Sequence, residues 1–171
     1  VNSREKYKRY LERHRAGVLL AWEDIQRYMG DASFVTEPLI RRKIDELIMK
    51  HDLSKYSKEE FDPYVQWFYG PSRKKDRALF AKAWKHHYKT NPHHVKYWET
   101  RPFDMEVDHI YLVEMACDWI AMGRRKGREP AVSYFNKTRK YTERVLPKEA
   151  VNLLEYILIT MDKKVRRVVI E

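Results

Sequence analysis

Glycine is scarce in this chain: five residues in 171, well under half the share of about 7% found in average proteins. That scarcity argues against a Gly-rich phosphate cradle and against a fold built on tight β-hairpins. A single cysteine, Cys117, excludes an internal disulfide, and a reducing, cytoplasmic setting is the expectation. No apolar run approaches the roughly 18 residues of a membrane span, and no signal peptide is recognisable, so a soluble protein with no membrane partner is expected. Convincing strand alternation, low-complexity tracts and internal repeats are also missing. Acidic residues are outnumbered, 25 Asp+Glu against 35 Lys+Arg, for a formal charge of +10. Such a surplus points toward anionic partners without naming them. The length fits one domain, 1–171, with a sizeable core.

What is present reads as helix. Tyr7, Leu11, His14, Val18, Ala21, Trp22 and Ile25 recur at helical spacing over residues 3–29, with Gly30 placed as a stop. Thr36-Glu37-Pro38 predicts an N-cap and first turn for a helix running to His51-Asp52. Ser57-Lys58-Glu59-Glu60 reads as a capping box opening a third helix, which Gly70-Pro71 ends. A fourth is expected over 76–90, and Asn91-Pro92 should open a short fifth to about Trp98. The sixth, about 104–123, is apolar nearly all round and therefore central. Pro130 and Pro147 open the last two. The expected fold is an all-α, single-domain bundle of seven to eight helices. The motif-bearing core spans about 10–125, with helices at 130–168 packed on it.

Polar residues inside apolar stripes carry the functional signal. His14 sits on the inward stripe of the first helix, and His51-Asp52 ends an otherwise apolar helix. Asp118, with Glu114 one turn before it, lies on the central helix, where a carboxylate is costly unless compensated. Two pairs follow, His86-His87 and His93-His94. Helical spacing favours His87 and His94 as the inward members, with His86 and His93 open as replacements because helix ends shift by a residue or two. Several imidazoles and carboxylates turned inward are what a divalent cation needs. Mixed nitrogen and oxygen donors suit Mn, Fe, Co or Zn, and no cysteine pattern suggests a structural zinc.

The order of these residues resembles the HD superfamily of metal-dependent phosphohydrolases: a helix-borne His, then His-Asp, further histidines, then a late Asp. His51-Asp52-Leu53-Ser54-Lys55 is similar to the HD-x-x-K form, with Ser54 where glycine is common. His86-His87-Tyr88, Asn91, His93-His94 and Glu114-Met115-Ala116-Cys117-Asp118-Trp119 look like a small uncharacterised family of phage and bacterial HD-like proteins. The resemblance covers about residues 10–125. It implies a helical bundle with one or two divalent ions (Mn, Fe, Co, Zn or Mg). His14, His51, Asp52 and Asp118 would hold the first, and His87 and His94 a second. It also implies that Asp52 orients an attacking water and that Lys55 lies near the reacting phosphate.

The expected reaction is hydrolysis of a phosphate ester, most plausibly in a nucleotide, by a monophosphatase, triphosphohydrolase or cyclic-nucleotide phosphodiesterase. Arg124 and Arg125 open a basic run, Arg124-Arg125-Lys126-Gly127-Arg128, six residues after Asp118, and could grip phosphate; a cationic helix end and solvated loop is the alternative. Glu59 and Glu60 divide between helix cap and ligand orientation. His109 is assigned to the surface or to a supporting position. Arg41-Arg42-Lys43 and Lys163-Lys164-Val165-Arg166-Arg167 read as solvated faces that could also follow a nucleic-acid backbone. Val151, Leu154, Leu158, Met161, Val165 and Val168 form a stripe open to two uses, the chain's own core or a homodimer seam. Two other function classes compete: a di-iron HD-type oxygenase, and a non-catalytic protein binding nucleic acid or a nucleotide.

Overall fold

A computed structural model of the chain describes residues 2–125, 127 and 129–168, without the side chains of Lys74 and of residues 165–168. Helix α1 (Ser3–Tyr28) follows its stripe: Asn2 caps it by accepting from the Glu5 N–H, and Tyr7, Leu11, His14, Val18, Ala21, Trp22 and Ile25 are buried. A single turn, α2 (Ser33–Thr36), precedes α3 (Pro38–Lys50), which starts with proline in its first turn as expected. Helices α4 (Phe61–Tyr69), α5 (Arg77–Thr90), α6 (Met105–Arg125), α7 (Ala131–Val145) and α8 (Lys148–Val168) complete eight α-helices, with no strand among the described residues. The chain is an all-α bundle. None of these helices is long and apolar enough to cross a membrane.

Three short segments wind more tightly than an α-helix, and one of them stands where an α-helix is expected. Leu53–Tyr56, Ser72–Lys74 and Val95–Thr100 are 3₁₀ turns. The expected fifth α-helix is therefore the 3₁₀ segment Val95–Thr100, entered from an extended His94. The third helix begins at Phe61, later than the capping box implied, and Glu60 makes no side-chain cap. Its carboxylate instead accepts hydrogen bonds from His86 and His87. A pair of histidines outcompetes the helix end for that acceptor.

Packing divides into two apolar clusters. The larger joins α1, α3, α6, α7 and α8 around Trp22, Met115, Phe135 and Leu154, with α6 at its centre. The smaller joins the first turns of α1 to α4 and α5 through Tyr7, Leu11, Phe61, Tyr64, Val65 and Ala83. Val151, Leu154, Leu158 and Met161 are buried in the larger cluster, which commits them to the chain's own core and leaves none for a dimer seam. The side chains of Val165, Arg166, Arg167 and Val168 lie outside the described residues. On α1, His14 falls between Leu11 of the small cluster and Val18 of the large one. The functional residues collect at that junction.

Candidate metal centre

The junction is built around Asp52. It is the only described non-glycine residue with positive φ, at 58°, placed between the end of α3 and the 3₁₀ turn Leu53–Tyr56. Aspartate tolerates this left-handed conformation better than most residues, at a cost of about 1 kcal/mol. Arg15 secures the bend from outside: its guanidinium donates to the carbonyls of His51 (3.0 Å) and Met49 (2.7 Å). The reversal turns the Asp52 side chain inward, where it is 1% exposed.

Each oxygen of Asp52 faces a different set of imidazoles. Oδ2 lies 3.4 Å from His14 Nε2 and 3.6 Å from His51 Nε2. Asp118 Oδ1 closes this first group at 3.1 Å from His14 Nε2 and 3.9 Å from His51 Nε2. Oδ1 lies 3.3 Å from His87 Nε2 and 3.5 Å from His93 Nε2, and His94 Nε2 is 2.8 Å from His87 Nε2. In each of the sets His14/His51/Asp52 and Asp52/His87/His93/His94, the donor atoms lie within 4.8 Å of one another. Donors bound at about 2.0–2.2 Å to one cation are separated by roughly 3–3.5 Å along the edges of its polyhedron. Several of these separations approach that range, so each group could hold a metal ion.

Supporting carboxylates set the ring orientation. Glu114 Oε1 accepts from Nδ1–H of both His51 (2.9 Å) and His93 (3.0 Å). Glu60 Oε2 accepts from Nδ1–H of His87 at 2.8 Å, and its Oε1 from His86 at 2.7 Å. Fixing the proton on Nδ1 leaves the Nε2 lone pairs of His51, His87 and His93 facing the middle of the site. Asn91 donates to Ser54 Oγ (2.8 Å) and to the His87 carbonyl (2.7 Å), holding the end of α5 against the 3₁₀ turn. Two buried atoms at the centre, Asp52 Oδ1 and His93 Nε2, have no hydrogen-bond partner among the described residues. Such orphans are costly unless something else binds them, and a divalent cation supplies that missing partner. The buried His/Asp clusters could therefore hold a metal ion.

The electrostatics favour positive charge on His14, His93 and Lys55 but not on His94. Burial opposes charge on His14, yet its hydrogen bonds to Asp118 and Asp52 outweigh this and raise its pKa to about 9. Burial likewise opposes charge on His93, but Glu114 and Asp52 lift it to about 10. His94 moves the other way, pushed well below the usual imidazole value by burial and by the neighbouring His93 and His87. Burial would raise the Asp52 pKa, but Lys55 and His51 hold the carboxyl well below the ordinary range. Lys55 Nζ donates to Asp52 Oδ2 at 2.6 Å, and its own pKa is raised because the attraction of Asp52 exceeds the burial penalty. The protons drawn onto His14 and His93 occupy the place of a bound cation.

A cleft of about 250 Å³ opens onto this centre, lined by His14, His94, Asp118 and Lys55 and walled by Tyr10, Trp84, Trp119, Tyr134 and Lys137. The structure thus brings together His14, His51, Asp52, Lys55, His87, His94 and Asp118. His86 stands to one side on Glu60. His93, open in the sequence as a replacement for His94, instead enters the site together with it. The backbone there is a turn leading into extended chain, so a 3.6-residue period does not apply. Arg15 carried no sequence signal, since its contacts are to backbone 34–36 positions away. Arg124 pairs with Asp24 at 2.6 Å, whereas Arg125 lies over the Tyr10 ring at 4.2 Å. Lys126 and Arg128 lie outside the described residues. Half-buried His109 bonds the Met105 carbonyl, away from the cluster, and Arg41, Arg42 and Lys43 are exposed.

No curated protein and no solved structure matches the chain significantly. A family model does, over residues 3–160, a span that includes every residue of the centre. The chain belongs to DUF5662, a family of unknown function.

Proposed function

We propose that the protein is a metal-dependent phosphohydrolase acting on a phosphate ester of a nucleotide. The observation that carries the proposal is the two-sided carboxylate of Asp52, one oxygen toward His14 and His51, the other toward His87 and His93. His14, His51, Asp52 and Asp118 would hold one divalent ion, and Asp52, His87, His93 and His94 a second. Ions bound there would supply an activated water and offset charge on a phosphoryl group. Asp52 would accept a hydrogen bond from the attacking water through whichever lone pair remains free. Lys55, held beside Asp52 and opening onto the cleft, would neutralise charge developing on the phosphoryl oxygens. Trp84, Trp119 and Tyr134 offer a base an apolar wall. The order of ligands in the chain, similar to that of HD phosphohydrolases, supports the same reading.

The test is metal analysis of the purified chain, followed by a screen of nucleoside mono-, di-, tri- and cyclic phosphates with Mn, Co, Mg and Fe. Asp52→Ala is expected to lose both metal and activity. Lys55→Ala should keep metal and slow turnover. A fully metallated protein that hydrolyses no phosphate ester would overturn the proposal. The three imidazoles grouped with Asp52 in the second set suit iron as readily as manganese. A di-iron oxygenase is therefore the second reading, and oxygen consumption by the iron-loaded protein would select it.

A further inference from the structure

Among the described residues more than one cleft reaches the centre. Besides the aromatic-walled cleft, a larger one of about 510 Å³ is lined by Arg13, Arg124, Arg125, Tyr69 and Leu20, and it shares Tyr10 and His14 with the first. Those two rings lie parallel, with centroids 6.2 Å apart and planes within 5°. Arg125 covers Tyr10 at 4.2 Å, so an Arg125–Tyr10–His14 rib leads from the second cleft to the first group of candidate ligands. The clefts differ in chemistry. Aromatic rings line the first, with Lys55 and Lys137 offset by Asp118 and Glu129, whereas arginines line the second. Arg124 is neutralised by Asp24, but among the described residues neither Arg13 nor Arg125 has a carboxylate partner. Two uncompensated guanidiniums are thus left in one concavity, where bound phosphate would satisfy their charge.

A monoester needs a pocket on only one side of its phosphorus. Two clefts meeting at the His14 edge suit a phosphorus with ester substituents on both sides. We propose that the clefts form one channel for a nucleotide phosphodiester. A nucleobase would lie against Trp84, Trp119 and Tyr134, and the phosphate-bearing continuation of the chain on Arg13 and Arg125. For its reaction this rests on the phosphohydrolase reading above and narrows that reading to diesters. Water adds its oxygen to phosphorus as one P–O ester bond breaks. One hydrogen of the water ends on the departing alcohol, and the other goes with the new phosphomonoester, which releases it at neutral pH.

The decisive measurement is equilibrium binding to the manganese-supplemented chain, read by tryptophan fluorescence because Trp84 and Trp119 line the first cleft. The probes are a 5′-phosphorylated dinucleotide with a slowly hydrolysed phosphorothioate linkage, adenosine monophosphate and inorganic phosphate. The dinucleotide should bind about tenfold or more tightly than the mononucleotide. The exposed double substitution Arg13→Ala/Arg125→Ala should bring the two within about twofold of each other. Equal affinities in the unsubstituted chain, or a preference that survives the double substitution, would overturn the channel. Turnover of bis(4-nitrophenyl) phosphate, followed separately, reports on the chemistry. Turnover without dinucleotide preference rejects the channel alone, whereas preference without turnover supports the channel and rejects the hydrolase.

Discussion

Two buried glutamates set the direction of four imidazoles, and their unequal reach separates the two halves of the centre. Glu114 serves His51 in the first group and His93 in the second, whereas Glu60 serves only His87 among the candidate ligands. Replacing either by Gln retains the shape but removes the carboxylate that holds the ring proton on Nδ1. Losses of about 10–100-fold in metal affinity are typical for such partners. Glu114→Gln should therefore weaken metal binding at both proposed sites, and Glu60→Gln at only one. Competitive metal titration with stoichiometry would check this, and a uniform loss in both variants would contradict the division. The same residues make the metal-free protein sensitive to pH. His14 and His93 carry folded pKa values of about 9 and about 10, above the ordinary imidazole value. Their protonated forms stabilise the fold below about pH 6.5, and that contribution is lost as pH rises through 9 and 10. His94, shifted downward, has the opposite effect: it costs stability as pH falls below about 6.5. Thermal melts of the chelated chain should fall from pH 6.5 to 10. The metal-loaded chain, with those nitrogens occupied, should show no such decline.

Among the elements, α7 depends on a distant partner. Its first N–H groups, of Ala131 and Val132, donate to Asp162 Oδ1 and Oδ2 of α8 at 2.9 and 3.0 Å. The preceding Pro130 supplies no side-chain cap. A carboxylate at a helix start satisfies exposed donors and complements the helix dipole, together worth about 1–2 kcal/mol. Asp162→Ala is expected to cost that much in denaturant melts. It should also raise KM more than it lowers kcat, because α7 carries Tyr134 and Lys137 into the cleft. Gly123 marks the same corner. A Cβ there would lie 2.5 Å from the Glu129 carbonyl oxygen, so only glycine lets α6 pass under the connection to α7. The α-helices were legible from apolar spacing and proline positions, because both act within one turn. The 3₁₀ segments were not, since Pro92 and the residues after it are compatible with either winding. Ser57 and Glu60 looked like a cap because sequence spacing cannot show that two histidines from α5 compete for the same carboxylate. Of the centre, the residues on regular helices could be anticipated. His93 is legible only as a replacement for His94, because the turn there has no helical period, and the Asp162 cap spans about thirty residues without a local signature.

At the level of the whole molecule, the centre acts as a rivet between two unequal cores. The large cluster is tied through α1, α3, α6, α7 and α8, whereas α5 packs chiefly against α4 and two 3₁₀ turns. The candidate ligands come from α1, the α3 end, α5, the turn after it and α6. A bound ion would thus join the small cluster to the large one through His87, His93 and His94. Without it, the same contacts pair imidazole nitrogens at 2.8–3.3 Å and leave Asp52 Oδ1 and His93 Nε2 unpartnered. A ligand that binds only the folded state adds about 4 kcal/mol at a thousand times its Kd, so chelation should lower the melting temperature measurably. The loss should also be uneven. Opening the small cluster exposes Tyr7, Leu11, Phe61, Tyr64, Val65 and Ala83, a far smaller apolar surface than the core around α6. Amide hydrogen exchange on the chelated chain should therefore accelerate first in α4 and α5, while the buried stretch of α8 around Leu154 and Leu158 keeps its protection. Equal acceleration across both cores would mean that the fold opens as one unit and that the metal does not bridge two.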